Sequence, residues 1–356
     1  GDHTCDANVE WKTLSQMHIS DGLAAPGYYY LTGPTIVSPH LISSGTYYGY
    51  KLNSEGTYVI CLNGYKLKAD VAYIFTRTAE GAANLVICDC SEDKTGVVEN
   101  TATSTNHNGS ICYTDASSKV LHTTIYGGTF RTKVARNKGG LFFLRSGSSI
   151  TIYGGDFKGA ASEEGGILYA GYSGSNVNIY GGNFHDSQAS KGGVLYTKGT
   201  VNILGGTFTG NSAANGGAIY QDTGALTIGN ATITGNTATT AGGGIYFKSQ
   251  ISMMKLATAN ISGNTVDQAA DNIYVDESQP GRISTLEVIL YPAKEGMGFK
   301  MTSAVAGEFG VTLGITGNTE TPTYAVKLGD AAGTETVWMS NLMKAGYMNE
   351  KVTVQA

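Results

Sequence analysis

The sequence predicts an all-β chain wound as a parallel β-helix, a solenoid of about nine or ten turns between residues 28 and 279. Three observations carry that prediction. The phrase Ile-Tyr-Gly-Gly-Xaa-Phe stands at Ile125–Phe130, Ile152–Phe157 and Ile179–Phe184, with looser copies at Ile203–Phe208, Ile228–Ile233 and Leu256–Ile261, so its first residues are 27, 27, 24, 25 and 28 apart. A second phrase, Gly-Gly-Xaa-apolar-aromatic, keeps the same phase at Gly139–Phe143, Gly165–Tyr169, Gly192–Tyr196, Gly216–Tyr220 and Gly242–Tyr246, and fades at Ala270–Tyr274. The composition agrees: 50 of 356 residues are Gly without a collagen-like period, and 41% are hydrophobic against 14% charged. That is too apolar for disorder and suits many short strands joined by tight bends.

Taken in order, residues 1–27 carry no repeat. Asp6–Leu14 reads as a short capped helix turning Val9 and Leu14 or Trp11 inward, an N-terminal cap for the open end of a solenoid. Residues 28–110 form irregular first turns, with strands at Tyr28–Leu31, Tyr58–Leu62 and Leu85–Cys88, and bends at Asn63-Gly64 and Ser91–Gly96. Residues 111–279 are the regular array, with roughly three short strands per repeat. In one repeat Val177 and Ile179 point in, Asn178 and Tyr180 point out, Gly181-Gly182 bends the chain and Phe184 re-enters the core. Gly192-Gly193 bends it again and Leu195 returns inward. Phe130, Phe157, Phe184 and Phe208 recur at coil length, which a solenoid stacks as a ladder. Residues 280–356 lose the period. Strands are expected at Thr285–Leu290, Gly310–Ile315 and Val337–Met339, with Leu342–Lys344 undecided, in a C-terminal β-rich cap or appendage.

The net charge is −5 and only five arginines occur, which excludes the basic stripe of a nucleic-acid binder. No apolar run is long enough for a membrane helix, and no signal peptide opens the chain, which reads as a mature or excised piece. Of the five cysteines, Cys61, Cys88 and Cys112 follow the repeat spacing and are expected to stack as small core residues. A Cys61–Cys88 bridge is conceivable on rung distance, but in-register side chains point side by side. Cys88-Xaa-Cys90 lacks zinc-finger spacing and no histidine pair flanks it, so neither a metal nor any other cofactor is expected.

Phe208-Thr209-Gly210-Asn211 followed by Gly216-Gly217-Ala218-Ile219 resembles the paired FxxN and GGA(I/L/V) motifs of polymorphic outer-membrane and autotransporter-passenger proteins. More broadly, residues 58–278 resemble the pectin-lyase-like right-handed β-helix superfamily. The strands around Cys61 and Cys88 are similar to large repeat-bearing surface proteins of gut Gram-positive bacteria. The resemblance implies a right-handed helix and a secreted, surface-attached protein. Asn survives at Asn211, Asn236 and Asn264, where the spacing predicts an amide ladder; Lys133, Ala160 and Ser187 replace it elsewhere. Many members of that superfamily cleave polysaccharides. A lyase needs clustered carboxylates and a base, and a galacturonase-type hydrolase carries Asn-Thr-Asp, Asp-Asp, Gly-His-Gly and Arg-Xaa-Lys on successive turns. Here only Arg131-Thr132-Lys133 matches, and adjacent aspartates occur nowhere.

Two further acidic groups are candidates for chemistry. Glu163-Glu164 could be a paired-carboxylate glycosidase site. Counted back from Gly-Gly, however, Glu164 aligns with Lys138 and Lys191, which predicts an exposed charge ladder. His185-Asp186 invites an acid–base reading, yet His185 follows Arg131 and Lys158 in a basic stripe with Asp156 nearby. No Gly-Xaa-Ser-Xaa-Gly or Gly-Xaa-Gly-Xaa-Xaa-Gly occurs. The aromatic columns are the better lead: Tyr126, Tyr153 and Tyr180 on one outer face, and Phe143, Tyr169, Tyr196, Tyr220, Tyr246 and Tyr274 on a second. Stacked tyrosines stabilise neighbouring rungs, and they also offer an apolar surface with polar tips to a sugar or a protein. The expectation is a non-catalytic extracellular stalk or binding module of a bacterial adhesin, meeting a glycan or host surface protein. Its ligand residues would be Tyr126, Tyr153, Tyr180, Tyr169, Tyr196 and Tyr220. The alternative is a polysaccharide-active enzyme using Glu163, Glu164, His185 and Asp186.

Overall fold

Apolar residues restocked on alternate positions every 24 to 28 residues can all be buried together only if successive repeats lie on top of one another. The computed structural model has this arrangement: a parallel β-solenoid of about 8 turns, where the period alone predicts nine or ten. It describes residues 8–42, 46–103, 107–133, 135–159, 161–248, 252–256 and 260–276, and beyond them the strands 283–290, 298–302, 310–313, 324–327, 334–338 and 350–354.

Four sheets run along the solenoid. In one coil their strands are Asn176–Ile179, Asn183–His185, Gln188–Lys191 and Leu195–Thr197. Each strand pairs in parallel with its counterpart a coil away, for example Ile152↔Ile179↔Ile203 and Phe157↔Phe184↔Phe208. The third of these strands corrects the expected three per repeat. Its buried apolar residues are all alanines, Ala189, Ala213, Ala238 and Ala241, among polar neighbours, and so it leaves no strong hydrophobic signal. Among the described residues this sheet begins at Arg136–Lys138, and the coils before it have three sheets.

The inward ladders follow the reading from sequence. Ile125, Ile152, Ile179, Ile203 and Ile228 are buried in one column. Phe130, Phe157, Phe184 and Phe208 stack at 5.1, 4.8 and 4.6 Å between ring centres. The Gly192-Gly193 bend ahead of Tyr196 needs both glycines, for different reasons. Gly192 sits at φ +66°, the left-handed region, whereas a Cβ on Gly193 would lie 2.1 Å from the Gly217 carbonyl oxygen of the next coil.

The expected amide ladder is present. Asn236 Oδ1 accepts from Asn211 N–H (3.0 Å) and Asn211 Nδ2 (2.9 Å), and Asn264 Oδ1 does the same for Asn236. Each Nδ2 also donates back to the ring column: Asn211 to Phe184 O, Asn236 to Phe208 O and Asn264 to Ile233 O. Where Ser187 replaces Asn, its hydroxyl accepts from Gly159 N–H at 2.7 Å. Buried backbone groups at the bend are thereby satisfied.

Two expectations are corrected. The described part of Asp6–Leu14 is not helical: Trp11–Thr13 is a strand paired in parallel with Tyr28–Tyr30, followed by a single 3-10 turn at Leu14–Met17. Rung pairing outweighs the local helix signal. Cys61 and Cys88 do pair on adjacent rungs, but Cys112 lies in another sheet between Phe75 and Phe142. Its 24-residue step matches the period by coincidence. Cys61, Cys88 and Cys112 are buried free thiols, Cys90 is in a disulfide, and Cys5 lies outside the described residues.

After Ser252–Leu256 the parallel run meets Ile283–Leu290, which pairs on its other edge with Glu350–Val354 in antiparallel fashion. Gly298–Thr302 with Thr334–Trp338 and Gly310–Leu313 with Tyr324–Lys327 are further antiparallel pairs, so strands occur in all three expected places. Leu342–Lys344 lies outside the described residues.

Candidate ligand-binding face

In the strand-and-bend phrase, Ile fills the core and the following Tyr points away from it. Tyr126, Tyr153 and Tyr180 therefore stack on the outside, 4.9 and 5.1 Å between ring centres and within 10° of parallel. Tyr153 is 37% exposed and Tyr180 46%. Each ring covers the face of its neighbour, so what meets solvent is a row of ring edges and phenol hydroxyls. Leu204, 40% exposed, continues the column by one rung. Its position in the looser copy Ile203–Phe208 carried the signal, which an aromatic-only reading passes over.

Around the Gly154-Gly155 bend from Tyr153 comes a charged cluster. His185 Nε2 lies 3.1 Å from Asp156 Oδ1 and its Nδ1 3.0 Å from Asp186 Oδ2, while Lys158 Nζ reaches Asp186 at 3.1 Å. Partial burial works against the imidazolium, but the hydrogen bonds to Asp156 and Asp186 outweigh it and raise the His185 pKa above its ordinary value. The bonds from His185 and Lys158 hold Asp186 below the usual carboxylate range. The expected stripe of Arg131, Lys158 and His185 is one column, continued below by Glu99, which pairs with Arg131 at 3.0 Å.

The second aromatic column has a different environment. Phe143, Tyr169, Tyr196, Tyr220 and Tyr246 stack at 5.0, 5.3, 5.3 and 4.7 Å, yet Tyr169, Tyr196 and Tyr220 are only 6, 3 and 5% exposed. Lys138 lies over Tyr169 at 5.0 Å and Lys191 over Tyr220 at 5.7 Å, with Tyr172 edge-on to Phe143 and Tyr169. Tyr196 donates to Asp222 Oδ2 at 2.6 Å, and Lys198 and Lys248 pair with that carboxylate. Burial, and then the bond to Asp222, push the Tyr196 phenol well above its ordinary pKa. These three tyrosines present no open ring surface. Asp222 and its lysines escaped the sequence reading because they belong to neither repeated phrase.

Glu164 sits in register with Lys138 and Lys191 and pairs with both, at 2.8 and 3.4 Å. Glu163, the neighbour on the same strand, is exposed and alternates to the other side, so the two acids do not converge. His185 and Asp186 are brought together, beside Asp156 rather than beside either glutamate.

No protein-family model, curated protein or solved structure matches the chain. The resemblance to outer-membrane and autotransporter-passenger repeats thus rests on the motif residues themselves.

Proposed function

We propose that the protein is a non-catalytic extracellular surface protein, a right-handed β-helical stalk or binding module of a bacterial adhesin that holds an extended glycan along its outer face. Residues 1–27 and 280–356 serve as its caps. The observation that carries this reading is the outward Tyr126–Tyr153–Tyr180 row, half-buried at Tyr126 and exposed at Tyr153 and Tyr180, continued by Leu204 and bordered by Asp156, Lys158, His185 and Asp186. Apolar edges with hydroxyl tips, next to hydrogen-bonding charges, match a chain of sugar rings with apolar C–H patches and polar rims. The disulfide at Cys90 supports an extracellular setting.

The test pairs a glycan array with an activity screen on acidic and mucin-type glycans, using the full chain. Binding without turnover, lost in Tyr153→Ala or Tyr180→Ala, is the expected result. Release of reducing ends or unsaturated products, abolished by Asp186→Asn or Glu164→Gln, would overturn it in favour of a polysaccharide-active enzyme, a reading that His185 between two carboxylates favours. Capture of a host protein in place of any glycan would overturn the ligand class.

A further inference from the structure

The sheets do not all stop at the same rung. One runs past Gly27–Tyr30 to Trp11–Thr13, and another runs past Thr46–Lys51 to Leu23–Ala24 and His18–Ser20. The sheet between them in chain order stops at Thr35–Ile36, with no further strand among the described residues. In place of that rung the chain makes the 3-10 turn Leu14–Met17. Between the turn and the edge strand lies a hollow of about 330 Å³, lined from both sides. Its size falls within the range of small-molecule sites, ~300–1,000 Å³.

The floor of the hollow is apolar. Leu14, Leu31 and Val37 are buried there, and the Tyr50 ring stacks on Phe75 at 5.6 Å. Tyr50 is only 8% exposed, yet its hydroxyl has no hydrogen-bond partner among the described residues. A buried phenol normally has one. Burial pushes the Tyr50 pKa up to about 12, so the group remains a protonated donor. Two imidazoles complete the wall. His18 Nε2 accepts from Gly22 N–H at 2.9 Å, which only an uncharged ring can do, so its proton sits on Nδ1. His40 stacks on His18 at 4.8 Å, and burial, then the neighbouring His18, lower its pKa below the ordinary value. Its ring nitrogens have no hydrogen-bond partner among the described residues, which leaves one donor and one acceptor. No Asp, Glu, Lys or Arg lines the hollow among the described residues.

We propose that this hollow is a binding site for a single uncharged pyranose ring. A carboxylate or phosphate would meet no cation there, and an ammonium no anion. A purely apolar ligand would leave the Tyr50 hydroxyl and the His40 nitrogens without partners. Sugar hydroxyls are donors and acceptors at once, which suits Tyr50 as donor and His40 as either, and the C–H face of the ring suits the Leu14, Leu31 and Val37 floor. The site does not rest on the tyrosine row. Tyr30, which lines the hollow, is followed in its column by Cys61, Cys88, Tyr126 and only then Tyr153.

The experiment titrates the full chain, carrying isotope-labelled histidine, with the methyl glycosides of glucose, galactose, mannose and N-acetylglucosamine at neutral pH. The methyl glycoside of glucuronic acid is the charged control. At least one neutral glycoside should move the His18 and His40 ring signals together and saturably. Tyr50→Phe should weaken that binding about tenfold and leave the urea midpoint unchanged, because its hydroxyl has no partner to lose on folding. Tyr153→Ala should leave it unchanged. A wild-type chain whose two histidine signals respond to no neutral glycoside overturns the site, with no reliance on how any variant folds. Tighter binding of the glucuronide overturns the uncharged class, and equal affinity in Tyr50→Phe overturns the assigned donor. Loss of the binding in Tyr153→Ala would assign it to the tyrosine row and overturn a separate site. A row that binds no glycan would leave this titration as it stands, so the two readings fall separately.

Discussion

Tyr126, Tyr153 and Tyr180 stack at 4.9 and 5.1 Å, and Tyr169, Tyr196, Tyr220 and Tyr246 at 5.3, 5.3 and 4.7 Å. Both spacings are simply the rung spacing of parallel strands, so neither period nor stacking distinguishes the columns. Their neighbours do. Beside the first column stand Gly127, Gly154 and Gly181, which have no side chain to lay over a ring. Around the second stand Lys138, Glu164, Lys191 and Asp222, whose long or charged side chains close over ring faces and hydroxyls. Identical repeats thus make an open aromatic row on one flank and a polar-capped wall on another. What decides between them is the bulk of the residues one or two positions away.

The contrast can be broken most forcefully by removing a ring from each column. Tyr196→Ala should cost about 3–5 kcal/mol in urea unfolding, since it empties a site packed above and below. Tyr153→Ala should cost about 1 kcal/mol or less. Equal costs would mean that the columns are equivalent. A finer cut removes only hydroxyls. Tyr196→Phe takes a donor from buried Asp222 and should cost about 1–3 kcal/mol, while Tyr153→Phe should stay within about 0.5 kcal/mol by the same measurement.

Binding should rank the columns the other way. Tyr153→Ala should weaken glycan affinity about tenfold, or about 1.4 kcal/mol, and Tyr196→Phe should leave it unchanged in calorimetric titration. The smallest effect concerns the charged cluster at the exposed corner. His185 should titrate above 6.5 by NMR and move back toward it in Asp156→Asn. Because its pKa is raised on folding, its contribution is complete below about 6.5 and fades as pH rises through the folded value. Asp186 has the opposite sign: its pKa is depressed, so its contribution is present above about 3.9 and fades as pH falls through the folded value. The cluster is therefore tightest between those limits. A His185 titration indifferent to Asp156 would remove the electrostatic part of the proposed face.

The core was legible in the sequence because each inward residue answers to one requirement, filling a fixed space every coil. Ile179, Phe184 and Leu195 meet it with large apolar side chains. The strand Gln188–Lys191 escaped because its inward position is filled by Ala189 alone, too small to stand out among polar neighbours. Exposure of the tyrosines was legible only in part, since alternation says which side of a sheet a ring leaves from but not what folds over it. Cys112 shows the opposite failure. Its step of 24 residues matches the period, yet it occupies another sheet, because coil lengths vary enough for unrelated positions to coincide. The gathering of Cys61, Cys88 and Cys90 depends on an adjacent rung and a same-strand neighbour at once, which no single spacing reports.

The asparagine ladder has a consequence for how such a protein can change size. Every amide oxygen serves the coil before it, in the same pose at Asn211, Asn236 and Asn264. Excising the 25 residues that separate Asn211 from Asn236 would return the same partners to Ser187 and leave no amide stranded. Excising half as many would strand one in the core. Reach is therefore a quantity that duplication and loss of gene segments can adjust only in whole-coil steps, with each step leaving the face of the remaining coils intact.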